Sequence, residues 1–411
     1  MRLCNLLCFC QGNITAYRLI LGDKKIDVQN IDRVWKNIPI TYKSDIIKNV
    51  RSYVSIDISD ELLNDIVLSQ KSIMNEKLYL SSNGVEKYYV EYTTGSTGYP
   101  LMSIKSENER LALGMNLWKL RNTIEKVSPK QMFGFIHNSF GERLQKENGM
   151  IEVLKYLETK KYNWWHINQE KIANISRFVK DGNRNINSLR VIENNGSYMS
   201  LEEKEEYEEL FGCKIVDNYG CREVWTIAYT CVSNHLHVNS DNILFELYDD
   251  NDDIVTDYNR EGRVVVTSII QKTMPFIKYD TGDRAVYLNE TCRYCASPII
   301  KLKPNRTFIK GQKNIEGNKV FRNVLKKMNY RYGVYNYESI KVVQISTNKF
   351  VVFITGNAQE KNIIETAFIK SVREHFETEN LKFEFVYNYE TSYKNLFQVD
   401  LTFESKKLNI L

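Results

Sequence analysis

The sequence has no long hydrophobic run, and none approaches the ~20 residues that a membrane-spanning helix needs. Its apolar opening, from Leu3 to Cys10, is too short and too weakly flanked to predict a secretory signal peptide. An excess of one charge is also lacking, because 56 basic residues stand against 51 acidic ones and the lysine pairs are short and scattered. This balance argues against a nucleic-acid partner. We therefore expect a soluble, cytoplasmic protein that has no membrane span.

Internal repeats and low-complexity linkers are absent as well. The chain of 411 residues, with 43% hydrophobic and 12% aromatic residues, is long enough to bury a sizeable core in two or three domains. Between about residues 88 and 217, strand and helix patterns alternate, which predicts an α/β fold with a mainly parallel sheet covered by helices. From about residue 240 the pattern changes to strands, which predicts a β-rich subdomain.

The last hundred residues follow a different pattern. After Pro304 a helix, two strands, a second helix and a further strand predict a small α+β domain, of a size that can fold as a unit. We therefore expect an N-terminal domain over residues 1–304, with its β-rich part at about 230–304, and a C-terminal domain over residues 305–411. The segment at 304–311 is the candidate hinge, which would make the C-terminal domain mobile.

A Walker phosphate loop is missing too, since no Gly-Lys-Ser/Thr occurs at the required spacing. A different glycine loop lies between a predicted strand at 88–93 and a helix that begins at a capping box, Ser106 with Glu109. Its glycines allow positive φ, so that backbone amides can turn toward an anion, and its hydroxyls add donors. The loop predicts a phosphate cradle, whereas an unliganded polar turn is the alternative for this loop alone. The residues concerned are Thr93, Thr94, Gly95, Ser96, Thr97 and Gly98.

Four further polar segments follow the glycine loop in order. They are Asn194-Asn195-Gly196-Ser197, Asp217-Asn218-Tyr219-Gly220-Cys221-Arg222-Glu223, Tyr279-Asp280-Thr281-Gly282-Asp283 and Thr391-Ser392-Tyr393-Lys394. The ordered set resembles the adenylate-forming (AMP-binding) superfamily, and the segment from Ile38 to Asp45 resembles its phenylacetate-coenzyme A ligase and CapK-like branch. The resemblance spans roughly residues 30 to 400. It implies that ATP converts a carboxylic acid into an acyl-adenylate with release of pyrophosphate.

The resemblance implies roles for single residues. Glu223 is expected to hold magnesium, Tyr219 to stack on adenine, and Asp283 to accept hydrogen bonds from both ribose hydroxyls. Lys394 is expected to bridge the acyl carboxylate and the α-phosphate while the adenylate forms. Without the resemblance, the same residues could be a surface glutamate, a core tyrosine, a turn aspartate and a solvated lysine. Further ATP-binding candidates are Asn195, Gly196, Ser197, Asn218, Gly220 and Arg306.

Three departures from the family pattern concern this site. Arg222 stands where the family usually has threonine, which puts a permanent cation beside Glu223 and makes Arg222 a catalytic candidate for contact with phosphate or the acyl carboxylate. Tyr393 replaces the glycine that usually precedes the mobile lysine. Ser197 stands where many relatives have glutamate, and the hinge segment keeps Arg306 but lacks the usual acidic residues. The sequence motifs therefore support rotation of the C-terminal domain less strongly than they support the adenylation step.

Neither the acid nor the acyl acceptor follows from the motifs. Aromatic residues beside the motif loops suggest a pocket for an aryl or short apolar acid, although core packing explains them almost as well. The pocket candidates are His137, Phe140, Gly141, Trp225 and Ile227. By resemblance coenzyme A is the leading acceptor, and a carrier-protein thiol or an amine is the alternative. The alternative to an enzyme is a degenerate protein that binds a nucleotide but has lost catalytic turnover.

Three cysteines and one histidine suggest a second site, which is separate from the ATP-binding motifs. Cys231 and His237 form Cys-x5-His, and Cys292 and Cys295 form Cys-x2-Cys, which together offer three thiolates and one imidazole to a tetrahedral zinc ion. His235 is the competing imidazole, but the Leu-His pair of the resembling branch favours His237. Four protein ligands leave no open position, so we expect a structural zinc. A disulfide between Cys292 and Cys295 is the alternative.

Overall fold

The structure is a computed structural model that describes most of the chain. The described residues are 1–68, 77–80, 87–93, 101–127, 133–135, 147–169, 171–172, 175–176, 179, 188–196, 198–295, 297–303, 320–321, 324–325, 327–328, 331–334, 337–356, 360–374, 381–387 and 397–400. They fall into two compact units, of which the first comprises residues 1–93 and 101–304 and the second begins at residue 305. The candidate hinge at 304–311 lies outside the described residues, so the predicted domain boundary and its mobility stay predictions.

Short helices form the start of the first unit. They are α1 (Arg2–Asn13), α2 (Thr15–Leu21), α3 (Ile31–Lys36), α4 (Lys43–Lys48), α5 (Val50–Tyr53) and α6 (Asp60–Leu68). On α1 the side chains of Leu6, Leu7 and Cys10 are buried in an apolar cluster that also contains Tyr17 of α2 and Ile277. This cluster attaches the N-terminal helices to the body of the unit. No helix in the described part of the chain combines the length and the apolar character needed to cross a bilayer.

A three-stranded antiparallel sheet leads directly into a long helix. Its strands are β1 (Lys77–Leu80), β2 (Lys87–Tyr92) and β3 (Met102–Ser106), and the helix is α7 (Glu107–Ile124). Ser106 Oγ accepts a hydrogen bond from the Glu109 amide, and the Glu109 carboxylate accepts one from the Ser106 amide. The predicted capping box is therefore confirmed, and it begins α7 where the chain leaves the sheet.

The first unit is built around one ten-stranded sheet. Its strands and the helices between them are β4 (Phe133–Phe135), α8 (Glu147–Lys160), β5 (Trp164–Ile167), β6 (Val191–Asn195), α9 (Leu201–Phe211), β7 (Lys214–Cys221), β8 (Trp225–Thr230), β9 (Leu236–Val238), β10 (Ile243–Tyr248), β11 (Gly262–Ser268), β12 (Tyr279–Thr291) and β13 (Pro298–Lys303). Their spatial order is β10-β11-β12-β13-β9-β8-β7-β6-β5-β4.

Strand direction divides this sheet into two halves. Neighbours from β4 to β7 are parallel, whereas the pairings from β7 onward to β10 are antiparallel. The α/β fold class is therefore confirmed. The β-rich part that was predicted from about residue 230 is a continuation of the same sheet, because β8 pairs directly with the last parallel strand.

Helices cover the parallel strands on both faces. Trp164 and Trp165 are consecutive in β5, so their side chains point to opposite faces. Trp164 packs with Phe133 and with side chains of α7, and Trp165 packs edge-on against Phe211 of α9. Both indoles are at most 2% exposed, so each face has a closed apolar core. Among the described residues both faces of these strands are covered, and the strand ends are where ligands bind in open α/β sheets.

The second unit contains a four-stranded sheet and a helix. The elements are β14 (Tyr337–Ser346), β15 (Lys349–Gly356), α10 (Lys361–Arg373), β16 (Lys382–Tyr387) and β17 (Phe397–Asp400), with the strand order β16-β15-β14-β17. The central pair is antiparallel and the two outer pairs are parallel. Phe350 of β15 and Phe368 of α10 are buried with Phe321 in one core. The α+β pattern predicted for this part is confirmed in the described residues.

Gly220 lies at an irregularity where β7 approaches β8 closely. A Cβ atom at this position would lie 2.2 Å from the Trp225 carbonyl oxygen, which belongs to backbone and cannot move aside without moving the strand. Gly220→Ala should therefore lower the free energy of unfolding by about 1–3 kcal/mol, the cost typical of overpacking. Denaturant-induced unfolding followed by tryptophan fluorescence measures this change.

Gly114→Ala is the matched control. Gly114 lies inside α7, and no atom lies within 4 Å of an added Cβ. Alanine should therefore be neutral there, or stabilising by up to about 1 kcal/mol, because it restricts the unfolded chain. Equal destabilisation by the two substitutions would contradict the close approach at Gly220.

Candidate functional site

Two of the predicted nucleotide-binding segments meet at the carboxyl ends of neighbouring parallel strands. Asn195 is the last residue of β6 and lies in register with Asn218 of β7. Gly196 follows with a φ of +94°, which glycine adopts without a steric penalty. Tyr219 and Gly220 continue β7 beyond this point. The parallel sheet thus brings both segments to one edge, where ligands bind in open α/β sheets.

Asp283 reaches the same place from β12. Its Oδ2 accepts a hydrogen bond from Tyr219 Oη at 2.8 Å. The turn before it depends on Gly282, which has a φ of +78° and donates its amide to Asp280 Oδ1 at 2.8 Å. Burial raises the pKa of Asp283 to about 6; the Tyr219 hydrogen bond opposes this rise, and the charges of Glu223 and Asp280 add to it. The predicted ribose and adenine residues are therefore hydrogen-bonded to each other.

Glu223 lies in the turn between β7 and β8 and is only 6% exposed. Its Oε1 accepts a hydrogen bond from Tyr279 Oη at 2.8 Å, and its backbone carbonyl accepts one from Gln271 Nε2 at 2.8 Å. Both the carboxylate and the turn that carries it are therefore fixed. A carboxylate held in this way is the kind of ligand that magnesium uses together with water and phosphate oxygens.

The N-terminal segment that shares the family resemblance is attached beside Glu223. Thr41 forms a parallel bridge with Tyr279, and the Asp280 amide donates to the Thr41 carbonyl at 3.0 Å. Lys43 follows and is partly buried. Burial lowers the pKa of Lys43 below its usual range, and the nearby charge of Glu223 acts in the opposite direction. An ammonium group therefore lies within electrostatic range of the Glu223 carboxylate.

A buried ion pair supports the turn that holds Arg222 and Glu223. Lys105 of β3 is 0% exposed, and its Nζ donates to Glu91 Oε2 at 2.8 Å and to Ser103 Oγ at 2.7 Å. Its third hydrogen bond, 2.7 Å long, goes to the backbone carbonyl of Arg222. All three ammonium protons are used, so Lys105 positions the turn and has no proton left for a ligand. The Arg222 side chain itself is exposed.

The two described candidates for the substrate pocket are in contact with packed neighbours. Trp225 Nε1 donates to Glu91 Oε2 at 3.0 Å, and its backbone has a φ of +62°. This left-handed conformation is costly for a residue with a bulky side chain and persists where the surroundings enforce it. Ile227 is fully buried in the apolar core with Val224 and Ala228. Core packing accounts for Ile227, and the pocket role of both residues stays a prediction.

Several predicted site residues lie outside the described residues. They are Thr94, Gly95, Ser96, Thr97, Gly98, His137, Phe140, Gly141, Ser197, Arg306 and Lys394. Thr93 is described, and it joins the two ends of the glycine loop. Its Oγ1 accepts a hydrogen bond from the Leu101 amide at 2.9 Å, and its amide donates to the Leu101 carbonyl at 2.9 Å. The base of the predicted phosphate cradle is therefore closed, and the roles of its inner residues stay predictions.

Next to Asn195 and Asn218 lies a buried carboxylate that the motifs do not reveal. Glu193 of β6 is 0% exposed and accepts six hydrogen bonds of 2.7–3.2 Å, three on each oxygen. Burial alone would raise the pKa of Glu193, but the Arg121 guanidinium and the His166 imidazole hold it well below its usual range. The donors are Arg121, with two bonds, and Trp164, His166, Asn218 and Tyr229.

The predicted zinc ligands form a cluster at the ends of β8, β9 and β12. The sulfur atoms of Cys231 and Cys292 are 3.8 Å apart, and Cys295 Sγ is 3.1 Å from His237 Nε2. One ligand atom from each of Cys231, His235, His237 and Cys292 lies within 4.8 Å of the others. The structure thus brings the four predicted residues together and adds His235, which the sequence pattern disfavoured.

The donor set of this cluster fits a zinc ion. Two thiolates on a tetrahedral zinc with ~2.3 Å bonds lie ~3.8 Å apart, which matches the Cys231 to Cys292 distance of 3.8 Å. His237 Nδ1 donates to the Pro298 carbonyl at 2.8 Å, which leaves Nε2 as the ligand atom, an arrangement common for metal-binding histidines. His235 Nδ1 is buried and has no hydrogen-bond partner among the described residues. Either His235 or Cys295 can complete the set.

No protein-family model matches the sequence, and no curated protein matches it. The structure, however, is similar to solved structures of 2-hydroxyisobutyryl-CoA ligase. In its postadenylation state, in complex with 2-HIB-AMP, that ligase matches with a TM-score of 0.61 and 14% identity over 97% of this chain and 87% of the other. In its thioesterification state, with 2-HIB-AMP and CoA, the TM-score is 0.59 at 14% identity, over 97% of this chain and 88% of the other. The chain has the fold of an adenylate-forming ligase.

At this level of identity the similarity concerns the fold. It agrees with the predicted superfamily in architecture and extends over nearly the whole chain, including both units separately described above. The phenylacetate-coenzyme A ligase and CapK-like branch stays a prediction, because the resemblance to that branch rests on sequence segments alone.

The titration of Asp283 tests the electrostatics of the site. NMR titration of ¹³C-labelled aspartate carboxyls should give Asp283 a midpoint of about 6. Tyr219→Phe removes a hydrogen bond that favours the ionised carboxylate, so the midpoint should move to higher pH. Tyr258→Phe, at an exposed tyrosine, should leave the midpoint unchanged.

The sign of the pH effect on stability follows from the same shift. Folding raises the pKa of Asp283 above its unfolded value of about 4. The group therefore contributes stability that is fully present below the unfolded value and is lost as the pH rises through about 6. A midpoint near the ordinary aspartate value in the unmodified protein would contradict the burial of this carboxyl.

Proposed function

We propose that the protein is an adenylate-forming ligase of the phenylacetate-coenzyme A ligase and CapK-like type, which uses ATP to activate a carboxylic acid and transfers the acyl group to coenzyme A. The meeting of Asn195-Gly196, Tyr219, Glu223 and Asp283 at one end of the sheet carries this proposal. Together they offer an aromatic ring for a base, acceptors for a ribose and a carboxylate for a metal. The fold shared with 2-hydroxyisobutyryl-CoA ligase, solved with 2-HIB-AMP and CoA, supports it.

Tyr219 and Asp283 would hold the adenosine. The Tyr219 hydroxyl donates to Asp283 Oδ2, which holds the ring beside the ribose acceptor, and adenine would stack on the face of this ring. The ionised Asp283 carboxylate would accept hydrogen bonds from the ribose hydroxyls. Asn195, Gly196, Asn218 and Gly220 would form the edge of the same pocket. Protonation of Asp283 removes an acceptor, so nucleotide binding should weaken as the pH falls through about 6.

In the adenylation step a carboxylate oxygen of the acid forms a bond to the α-phosphorus of ATP. The bond between that phosphorus and the bridging oxygen breaks, and the electron pair leaves with pyrophosphate. Magnesium, when bound, supplies charge neutralisation on the phosphates, with Glu223 as its protein ligand. Because two anions must approach each other, fixed donors and cations provide the main rate enhancement.

The remaining predicted residues would complete this step. Thr93 and the loop residues Thr94 to Gly98 would donate hydrogen bonds to the phosphates, as the closed base of the loop suggests. Arg222, whose backbone is held by Lys105, would contact a phosphate or the acyl carboxylate. Lys394 would bridge the carboxylate and the α-phosphate, and Arg306 would bind nucleotide. In the second step the thiol of coenzyme A attacks the acyl carbonyl, and AMP leaves.

Acid-dependent exchange of labelled pyrophosphate into ATP tests the proposal. A panel of aryl, alkyl and amino acids in the presence of magnesium should contain at least one acid that supports exchange. Glu223→Gln removes a charged metal ligand and should lower the exchange rate about a hundredfold or more. Glu205→Gln, at an exposed position on α9, should leave the rate unchanged.

The acyl acceptor is identified with the same preparation. Once an acid supports exchange, AMP formation is measured with coenzyme A, a carrier protein or an amine, and coenzyme A should give the highest rate. Faster AMP formation with a carrier protein or an amine would mean that this compound, and not coenzyme A, accepts the acyl group in the second step. If the protein binds AMP but no acid supports pyrophosphate exchange, the proposal of an enzyme is contradicted. The alternative of a degenerate nucleotide-binding protein is then favoured.

We also propose that the cysteine and histidine cluster holds one structural zinc ion. Its ligands come from residues that are far apart in the chain, since Cys231 precedes β9 and His237 lies within β9, whereas Cys292 and Cys295 follow β12. A closed four-ligand site contributes folding free energy directly, because the ligands are brought together only in the folded state. Such a site would join the middle strands of the antiparallel half.

Metal analysis of the purified protein should find one zinc per chain. Cys292→Ser should lose the zinc and lower the melting temperature, because its thiol is common to both ligand sets. Cys8→Ser, at an exposed thiol of α1, should retain the zinc. Comparison of His235→Ala with Cys295→Ser identifies the fourth ligand. A metal-free protein with the same melting temperature after Cys292→Ser would contradict the zinc site.

A further inference from the structure

The turn that carries Asp283 is a bulge in the pairing of β11 with β12. Arg263 of β11 lies opposite Arg284 of β12, and the next pair in register is Val265 with Asp280. One residue of β11 therefore faces three residues of β12, which are Thr281, Gly282 and Asp283. A bulge re-aims the side chains that it carries. The direction of the Asp283 carboxyl thus depends on what holds this bulge in shape.

Two side chains of the bulged strand hold it. Thr281 Oγ1 donates to a carbonyl of β11 at 3.0 Å and accepts from the Asp283 amide at 3.1 Å. Asp280 Oδ1 accepts from the Gly282 amide at 2.8 Å. The Asp280 side chain is only 8% exposed, and its second oxygen, Oδ2, accepts from Arg263 Nη1. Asp280 is therefore fixed on one side by its own turn and on the other by Arg263.

The Arg263 guanidinium has further partners that fix it independently of Asp280. It donates to the Asp249 carbonyl from Nε at 3.3 Å and from Nη2 at 2.9 Å. It also pairs with the Asp252 carboxylate and donates to Tyr42 Oη at 3.3 Å. Only 16% of the side chain is exposed. Because the planar guanidinium is rigid and held at several atoms, it is a fixed support for Asp280.

The same guanidinium acts on the charge of Asp283. Burial raises the pKa of Asp283 most, and the hydrogen bond from Tyr219 opposes this rise. The negative charges of Glu223 and Asp280 raise the pKa further. Burial also raises the pKa of the nearby Cys221 thiol, which therefore stays neutral. The guanidinium paired with Asp280 offsets one of the two negative charges that act on Asp283.

We propose that Arg263 is a positioning residue for the ligase reaction, because through Asp280 it holds the bulge in the shape that presents Asp283 to a ribose. This inference rests on the proposed function, since the ribose is that of the nucleotide bound there. Arg263 lies on the neighbouring strand, outside the sequence motifs of the site. Loss of its guanidinium would loosen the bulge and leave the Asp280 charge uncompensated beside Asp283.

Titration of ¹³C-labelled aspartate carboxyls in the full chain, without nucleotide, tests this role. Arg263→Gln should raise the Asp283 midpoint from about 6 to about 7, because a neighbouring negative charge loses its partner. Calorimetric titration at pH 7 should show AMP binding weakened about tenfold. Arg260→Gln is the matched control, since Arg260 is an exposed arginine that pairs with Asp249 in the same turn. It should leave the midpoint and the AMP affinity unchanged.

A double-mutant cycle with Asp280→Asn tests the route of the effect. Asparagine keeps an oxygen for the Gly282 amide and removes the charge. If Arg263 acts through Asp280, Arg263→Gln should change the Asp283 midpoint and the AMP affinity much less in the Asp280→Asn background than alone. Equal changes in both backgrounds would overturn this route. A lower melting temperature with an unchanged midpoint would mean a merely structural role and would overturn the positioning role.

Arg263→Lys is the conservative variant, and it decides the question should Arg263→Gln not fold. It keeps a cation beside Asp280, so the Asp283 midpoint should stay at about 6. A single ammonium cannot hold Asp280 and the Asp249 carbonyl in the way that the guanidinium fork does, so AMP should still bind about threefold more weakly. An unchanged AMP affinity in this variant would overturn the positioning role.

The failure of this inference is distinguishable from the failure of the proposed function, because the midpoint is measured without nucleotide. If the unmodified protein binds AMP and Arg263→Gln changes neither the midpoint nor the affinity, the role of Arg263 is overturned and the nucleotide site stands. If the unmodified protein binds no AMP, the nucleotide site is overturned, and the role of Arg263 in presenting Asp283 to a ribose is overturned with it.

Discussion

The buried ion pair between Arg121 and Glu193 is the interaction on which the parallel half of the sheet depends. It joins α7 to β6, and the remaining hydrogen bonds of Glu193 reach β5, β7 and β8. Removing two charges from water costs several kcal/mol for each ion, and here a bidentate guanidinium and four further donors offset that cost. Loss of one partner would leave a buried charge uncompensated, at a cost of about 3–5 kcal/mol. The same network fixes Asn195 and Asn218 at the strand ends.

A second buried ion pair, Lys105 with Glu91, has the corresponding role at the turn that follows β7. Lys105 holds the Arg222 carbonyl, and Glu91 also binds the Trp225 indole, so the turn carrying Glu223 is fixed at both ends. The left-handed backbone of Trp225 is stabilised by these contacts. The predicted ligand-binding groups are thus supported by buried charges, which is the preorganisation that charge-stabilising catalysis requires.

Much of the fold could be predicted because its signals are local. The capping box of Ser106 with Glu109 begins α7 where expected, and strands follow from about residue 240, as the change of pattern predicts. Asn195 and Tyr219 lie together because the carboxyl ends of neighbouring parallel strands meet at the same edge of a sheet. Glu193 and Lys105 could not be predicted, because a charged residue in a strand normally faces solvent, and their partners lie 72 and 14 residues away in the chain. The continuation of the parallel sheet into the β-rich part depends on one pairing, β7 with β8, which no short pattern encodes.

Hydrogen exchange measured by mass spectrometry during a titration with AMP tests most directly whether these segments form one nucleotide site. Peptides that contain Gly196, the turn after Tyr219, and Gly282 with Asp283 should exchange more slowly on binding, all with the same AMP midpoint. Peptides of the cysteine and histidine cluster should be unaffected. Two results would contradict the account. In the first, none of the three segments exchanges more slowly; in the second, slower exchange is confined to a cleft at the start of β7, which is lined by Arg190, Glu208 and Lys214.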